Sequence, residues 1–354
     1  MVQDSLRELY GHHAGKVSDK WEIYLDEYER TLEPHRDQPV HLLEIGIQNG
    51  GSLEIWLSYF SNVVRLIGCD INPDCAKLTY ADPRIRVIVG DANTPDTYNA
   101  ITGECEQFDI IIDDGSHRSG DIVKSFCLYF PTLAESGTFI VEDLHCSYWS
   151  EFDGGLFHPY SSLSFFKLLA DVVNFEHWGI DTLDRLGPLN GILSHYGCTL
   201  SAESLAQVRS VEFVNSICVI RKRPASSNAL GRRIVAGREE AVIPGHIPLH
   251  GTRFSLQDVP SQTGNPWSTR TVPPAESIIQ TEQLLQAARD EIIERDAEIH
   301  RNNQTIRNLE RKLHSEEDKA AGAALINAAL LRSKSWRLTA PLRWVAGMAR
   351  HLFK

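Results

Sequence analysis

Residues 41–56 read HLLEIGIQNGGSLEIW. An apolar run ends at Glu44 and Ile45, a turn holding Gly46, Gly50 and Gly51 follows, and LEIW then starts a helical pattern. Glycines let a backbone turn tightly and approach a ligand, while the next helix offers free N–H groups at its N-terminus. Strand, glycine turn and helix in that order open a doubly wound α/β domain. The alternation continues to about Lys222 through RLIGCD, RIRVIVGD, FDIIIDDG, GTFIVED and VEFVNSICVIRK, separated by helix-length segments. This predicts a mostly parallel sheet with helices on both faces, the long mixed VEFVNSICVIRK being a last strand added antiparallel.

Outside this core the pattern changes. Residues 1–38 carry Leu6, Leu9, Tyr10, Trp21, Tyr24, Leu25 and Tyr28 at helical spacing and form a helical lead-in to a domain over 39–223. Residues 224–276 are rich in Pro, Ser and Gly and read as a linker. Ile278, Leu285, Ile292, Ile299, Ile306 and Leu313 then recur every seven residues, a coiled-coil seam over 277–316. Its companion positions Thr281, Ala288, Arg295, Asn302 and Leu309 are mostly polar, which makes the coil weak or selective about its partner, a second copy or another helix. Residues 317–354 end in a basic amphipathic stretch, with Trp336, Leu338, Leu342, Trp344, Val345, Met348, Leu352 and Phe353 among Arg337, Arg343, Arg350 and Lys354, suited to an anionic membrane surface.

The bulk numbers narrow the function. A chain of 354 residues has room for one substantial α/β core with appendages. A formal net charge of -12 disfavours a nucleic-acid partner, since phosphate binding needs clustered Lys and Arg. No apolar run is long enough to span a bilayer, and the first residues lack the layout of a secretory signal, so a cytoplasmic protein is expected. The seven cysteines form no CxxC pair, which argues against a disulfide framework or a zinc site.

The predicted strands end in acids. Asp70 closes the second strand, where a carboxylate can accept hydrogen bonds from both ribose hydroxyls of an adenosyl ligand, and Asp91 closes the third, near the expected adenine. The first turn lacks GxGxxG, so a ligand without a phosphate to cradle, S-adenosylmethionine, fits better than a dinucleotide. The candidate cofactor residues are Glu44, Gly46, Gly50, Ser52, Asp70, Asp91 and Asp113.

Asp113-Asp114-Gly115-Ser116-His117 closes the fourth strand and Glu142-Asp143-Leu144-His145 the fifth. Neighbouring strands lie about 5 Å apart, so Asp114, Glu142 and Asp143 can converge. Three carboxylates together repel unless a positive charge sits among them, and oxygen ligands favour a hard cation, Mg²⁺ first with Mn²⁺ or Ca²⁺ as alternatives. Such a cation acidifies a bound hydroxyl, and His117, three residues from Asp114, is placed to take the proton. Either Asp114 or His117 alone would read as a turn residue; it is the clustering that carries the metal reading. His145, Tyr148 and Trp149 follow on the same loop and are candidates for contacting a sugar acceptor, although core packing suits Trp149 equally.

With these residues in view, the chain resembles the sugar O-methyltransferases of the macrocin and mycinamicin type over residues 14–222, through SDKW, HLLEIGIQNGGSLEIW, GCDINP, VGDANTPDTY, FDIIIDDGSHRSGDIVKSF, GTFIVEDLHCSYW and VEFVNSICVI. The resemblance implies a Rossmann-like class I methyltransferase fold and Mg²⁺-dependent methyl transfer from S-adenosylmethionine to a sugar hydroxyl. It assigns metal ligation to Asp114, Glu142 and Asp143 and proton abstraction to His117. SDKWEIYLDEYER lacks the histidine that usually follows in that family, and Cys146 stands where threonine is common. The C-terminal SKSWRLTAPLRW is similar to a tail on bacterial proteins of surface polysaccharide assembly, which implies a glycan or lipid-linked sugar as acceptor. Two other readings compete. One is a non-catalytic, S-adenosylmethionine-binding or scaffolding component of a polysaccharide-assembly complex, against which the intact acid cluster argues. The other is a hydroxylase, against which the lack of a two-His-one-carboxylate iron pattern argues.

Overall fold

The computed structural model describes residues 3–255, 259–265, 268 and 275–352. Two compact units divide the chain at residues 278 and 279. The first contains strands β1 (Val40–Ile45), β2 (Val63–Asp70), β3 (Ile85–Val89), β4 (Phe108–Asp113), β5 (Leu133–Val141), β6 (Val208–Val214) and β7 (Ile217–Lys222). They form one sheet in the order β3-β2-β1-β4-β5-β7-β6. The first five strands run parallel, β7 is antiparallel to β5, and β6 is antiparallel to β7. The order reverses between β1 and β4, the place where open α/β sheets leave a crevice at their carboxyl ends.

One expected strand is two. VEFVNSICVIRK folds back at Asn215 and Ser216 into the β6–β7 hairpin, with Ser216 at φ +69. Asn215-Ser216 is a two-residue polar break between apolar runs, the length of a tight hairpin turn. β7 rather than β6 takes the place beside β5 because ICVI is apolar on both faces and is buried throughout, whereas β6 lies at the edge and is mostly half-exposed.

The lead-in comprises α1 (Leu6–His12) and α2 (Glu22–Leu32), separated by an irregular segment over 13–21. Ser5 caps α1 in a capping box with Glu8. Tyr24, Tyr28 and Leu32 recur every four residues on α2 and are buried against one face of the sheet. The remaining helices of this unit are α3 (Gly51–Tyr59), α4 (Pro95–Glu104), α5 (Ser119–Tyr129), α6 (Ser162–Val173), α7 (Asn190–Tyr196) and α8 (Ala202–Ala206). Two cores result, one on each face. Tyr24, Tyr28, Trp56, Tyr59 and Phe60 dominate the first; Phe126, Phe130, Phe139, Phe165 and Phe166 dominate the second. All seven cysteines are free.

Between Lys222 and Ala275 the described residues form two short 3-10 turns and one bridge, Arg232 to Arg253. A helix of 58 residues, α9 (Ala275–Arg332), follows and continues past residue 316, because AAGAALINAALL is composed largely of strong helix formers. Leu285, Ile292, Ile299, Ile306 and Leu313 are all exposed along it. Ser333 ends the run by capping α10 (Lys334–Leu338), and α11 (Ala340–Leu352) completes the second unit. The side chains of Ile278, Thr281, Arg350 and Leu352, together with Phe353 and Lys354, lie outside the described residues. Among the described residues no helix is long and apolar enough to cross a membrane.

Candidate active site

Strand register assembles the acids. Ile45 pairs with Asp113 and Asp113 with Val141, so the next residues, Gly46, Asp114 and Glu142, share one level at the carboxyl edge. Side chains alternate between sheet faces. Leu42, Ile110, Ile112 and Ile140 face the core containing α2, and parity puts Glu44, Asp114 and Glu142 on that side; Leu43, Ile111, Phe139 and Val141 face the other core. Asp113 belongs to the opposite face, where burial pushes its carboxyl up to about 6.

The three acids on the α2 side meet one cation. Lys20 Nζ, its side chain only 3% exposed, donates to Asp114 Oδ2 and, at 2.6 Å, to Glu142 Oε1, with Glu44 Oε1 at 3.8 Å. Tyr28 also donates to Glu142 Oε1. Glu44 Oε2 accepts from Ser52 Oγ at 2.7 Å and Trp56 Nε1 at 3.2 Å, whereas its buried Oε1 has no hydrogen-bond partner. Burial pushes the Asp114 and Glu142 carboxyls up to about 7, and Lys20 pulls both back. Burial works against the Lys20 ammonium, but Glu142, Asp114 and Glu44 outweigh it and hold its pKa well above the ordinary lysine value. Three carboxyl groups thus share one ammonium.

Asp143 breaks the strand alternation. Its φ of +54 turns the side chain towards Tyr24, whose hydroxyl donates to Oδ1 at 2.7 Å, and Trp21, whose Nε1 donates to the same oxygen at 3.2 Å. Among the described residues, five non-glycine residues have positive φ, and Gln48, His117, Asp143 and Ser216 are in or beside this site. Such backbone is sparsely populated and concentrates where function holds it. His117 Nε2 lies 3.5 Å from Asp143 Oδ2. Burial lowers the imidazole pKa and Asp143 opposes that shift. One donor atom each of Asp114, His117 and Asp143 fall within 4.8 Å of one another. Two carboxylates and an imidazole are a donor set that a divalent cation accepts, and Glu142 is the expected ligand that Lys20 and Tyr28 instead occupy.

Beside the acids runs a cleft in two lobes of about 210 and 240 Å³ that share Gly46, Gln48 and Asp114. The first lobe adds Glu44, Ser52 and His117; the second adds Asp70, Asp91 and Asp113. Asp70 is already engaged: Oδ2 accepts from the Ile47 and Gln48 amides at 3.0 and 2.8 Å and Oδ1 from Asn72, so it also fixes the glycine turn. Gly50 does not line the cleft; at φ +76 it precedes α3 and its carbonyl accepts from Tyr80. Gly46 is a true cradle. A Cβ there would lie 2.0 Å from the Asp114 carbonyl oxygen, and φ is +88. Gly46→Ala is expected to force the β1 and β4 ends apart, costing at least about 1 kcal/mol of stability, readable by calorimetric unfolding.

A groove of about 690 Å³ adjoins the acids, lined by Trp21, Tyr24, His145, Trp149 and Ser216 among others. Trp21 and Trp149 are 62% and 49% exposed, and the His145 ring stands edge-on to Trp149 at 5.0 Å. Partly bared indoles beside an imidazole form an amphipathic wall for a ring with both C–H and O–H surfaces. His145 and Trp149 line this wall; Tyr148 is exposed and does not.

Residues 43–144 match a family model described as a methyltransferase domain. The architecture is that of a class I methyltransferase. It is shared with the MycE methyltransferase from the mycinamycin biosynthetic pathway in complex with Mg and SAH, at 23% identity and a TM-score of 0.54, covering 67% of this chain and 59% of that one. By sequence the chain is similar to the 8-demethyl-8-alpha-L-rhamnosyl tetracenomycin-C 2'-O-methyltransferase of Streptomyces olivaceus, 37% identical over 44% of this chain and 42% of that protein. It is also similar to the mycinamicin VI 2''-O-methyltransferase of Micromonospora griseorubida, 34% identical over 42% of this chain and 39% of that protein. The chain thus spans less than half the length of these curated relatives.

The segment that matches the methyltransferase family model does not by itself complete the site. Lys20, Trp21, Tyr24 and Tyr28 come from the lead-in, outside residues 43–144. Sequence reading assigned them no chemical role. Two signals were available: Lys20 and Trp21 within SDKW, and Tyr24 and Tyr28 one helical turn apart.

Proposed function

We propose that this chain transfers a methyl group from S-adenosylmethionine to a sugar hydroxyl of a glycan or glycosylated metabolite, assisted by Mg²⁺ or Mn²⁺, in surface polysaccharide biosynthesis at the cytoplasmic side of a membrane. The carrying observation is the excess of carboxylates over the single ammonium of Lys20, set between an adenosyl-sized cleft and an aromatic groove. The similarity to a rhamnosyl tetracenomycin-C 2'-O-methyltransferase and a mycinamicin VI 2''-O-methyltransferase supports the acceptor class. The MycE methyltransferase, whose structures hold Mg and SAH, supports the cofactors.

In this reading Asp70 and Asp91 bind the adenosyl portion, Gly46 gives the ligand close access to the backbone, and Asp114, Glu142 and Asp143 hold the cation. When bound, the cation supplies positive charge that acidifies the acceptor hydroxyl, and S-adenosylmethionine supplies the methyl. His117 would accept the hydroxyl proton at Nε2 as the acceptor oxygen takes the methyl that bound S-adenosylmethionine would supply, S-adenosylhomocysteine being the leaving group. Tyr24 and Trp21 fix the Asp143 carboxylate, while Trp21, His145 and Trp149 pack the sugar. The second unit supports the location: Trp336, Leu342, Trp344, Val345 and Met348 are exposed alongside Arg337, with Arg343 half-buried over the Trp336 ring. Its exposed heptad of isoleucines and leucines supports pairing with a second copy or a partner helix.

The test is incubation with methyl-labelled cofactor and rhamnosyl or surface-glycan acceptors. Label should appear on the sugar, and chelation should lower turnover by about 100-fold or more, Mg²⁺ restoring it. Cofactor binding without label on any acceptor would favour the scaffolding reading.

A further inference from the structure

Lys20 has no part in the mechanism above, yet it sits where that mechanism needs a cation. Its ammonium bonds Asp114 Oδ2 and Glu142 Oε1, carboxylate oxygens of two of the three expected ligands. Mg²⁺ holds oxygen ligands at about 2.0–2.1 Å and demands near-octahedral geometry. An ammonium on the same lone pairs blocks that approach sterically and by charge. One other acceptor is close at hand. Glu44 Oε1 is buried, has no hydrogen-bond partner and lies 3.8 Å from Nζ.

We propose that Lys20 is an internal counter-ion that holds the place of the divalent cation and, when the cation arrives, moves its ammonium onto Glu44 Oε1 and releases Asp114 and Glu142. The inference rests on the metal-assisted reading. It also accounts for two features of the cluster: Glu142, an expected ligand, is engaged by Lys20, and a buried carboxylate oxygen remains unused beside it.

The exchange needs only the side chain. The segment carrying Lys20 is pinned by the Gly51 amide donating to the Val17 carbonyl at 3.1 Å and by Lys16 bonding Glu54 through both its amide and its ammonium at 2.8 and 2.6 Å. Tyr10 and Ser18 share a further bond of 3.0 Å. Lysine's four-carbon stem is flexible enough to shift its ammonium between neighbouring acceptors while this backbone stays fixed. Divalent affinity then reflects the difference between two resting places for one ammonium.

The experiment is Mn²⁺ binding, by calorimetry and by loss of the free-ion electron paramagnetic resonance signal, to the full chain without acceptor. Lys20→Met should bind Mn²⁺ about tenfold more tightly than the parent, because the competing charge is gone. Lys20→Gln keeps hydrogen-bond donors at the carboxylates and should bind more tightly as well, which guards against a folding defect in the methionine variant. Glu44→Gln should weaken Mn²⁺ binding several-fold when Lys20 is present and leave it unchanged in the Lys20→Met background. Equal or weaker binding by both Lys20 variants overturns the proposal, as does an equal effect of Glu44→Gln in both backgrounds. If neither the parent nor any variant binds Mn²⁺, the metal-assisted reading falls first and takes this one with it.

Discussion

His117→Asn should reduce turnover by about 10²- to 10⁴-fold, the usual contribution of a positioned general base, while S-adenosylhomocysteine and Mn²⁺ still bind. Asparagine suits this test better than alanine because His117 has φ +58, a backbone region that asparagine tolerates. Asp114 accepts from Lys20, and His117, three residues on, projects back so that Nε2 lies 3.5 Å from Asp143 Oδ2. Burial lowers the imidazole pKa and so favours the neutral form that can take a proton. The same geometry would let His117 ligate a cation, since it belongs to the close group with Asp114 and Asp143. Single-turnover kinetics and Mn²⁺ calorimetry on one variant separate the roles. Lost turnover with retained Mn²⁺ identifies the base, joint loss identifies a ligand, and unchanged turnover removes His117 from the chemistry.

Much of this was legible in the sequence because a parallel sheet writes its ligand edge into strand ends. HLLEIGIQNGG, GCD, VGD, FDIIIDDG and VED each finish an apolar run with glycine or acid, and the structure gathers those ends at one edge. Register and parity were not legible. Whether Asp113 or Asp114 faces the α2 side depends on pairings between strands that a local pattern does not contain. The counter-ion was less legible still. Lys20 stands 94 and 122 residues from Asp114 and Glu142 in sequence, in an irregular segment whose polar neighbours resemble any solvated loop. The hairpin at Asn215-Ser216 escaped because two polar residues inside a long apolar stretch can equally be outward-facing strand positions. Position 48 shows a related limit: a glutamine at φ +44 gives no compositional sign of its conformation.

Asp114→Asn carries the second large effect. The substitution preserves shape, and the backbone bond from the Asp114 amide to the Ile45 carbonyl at 2.8 Å keeps the β1 and β4 ends together. Only the charge changes. The metal-free variant should therefore melt close to the parent, since Lys20 keeps Glu142 at 2.6 Å and Glu44 at 3.8 Å as counter-charges. What should vanish is the response to metal. An amide oxygen is a much poorer ligand than a carboxylate for a hard cation, so Mn²⁺ affinity should fall by about 100-fold and the rise in Tm on adding Mg²⁺ should disappear. Turnover should drop to that of the chelated parent, with added Mg²⁺ giving no recovery, while S-adenosylhomocysteine binding survives because Asp70 and Asp91 are untouched and asparagine keeps the shape of the cleft wall that Asp114 forms. A variant that keeps both its Mg²⁺-dependent Tm shift and its turnover would show that Asp114 serves Lys20 alone, and the cation would then have to bind through Asp143 and its neighbours.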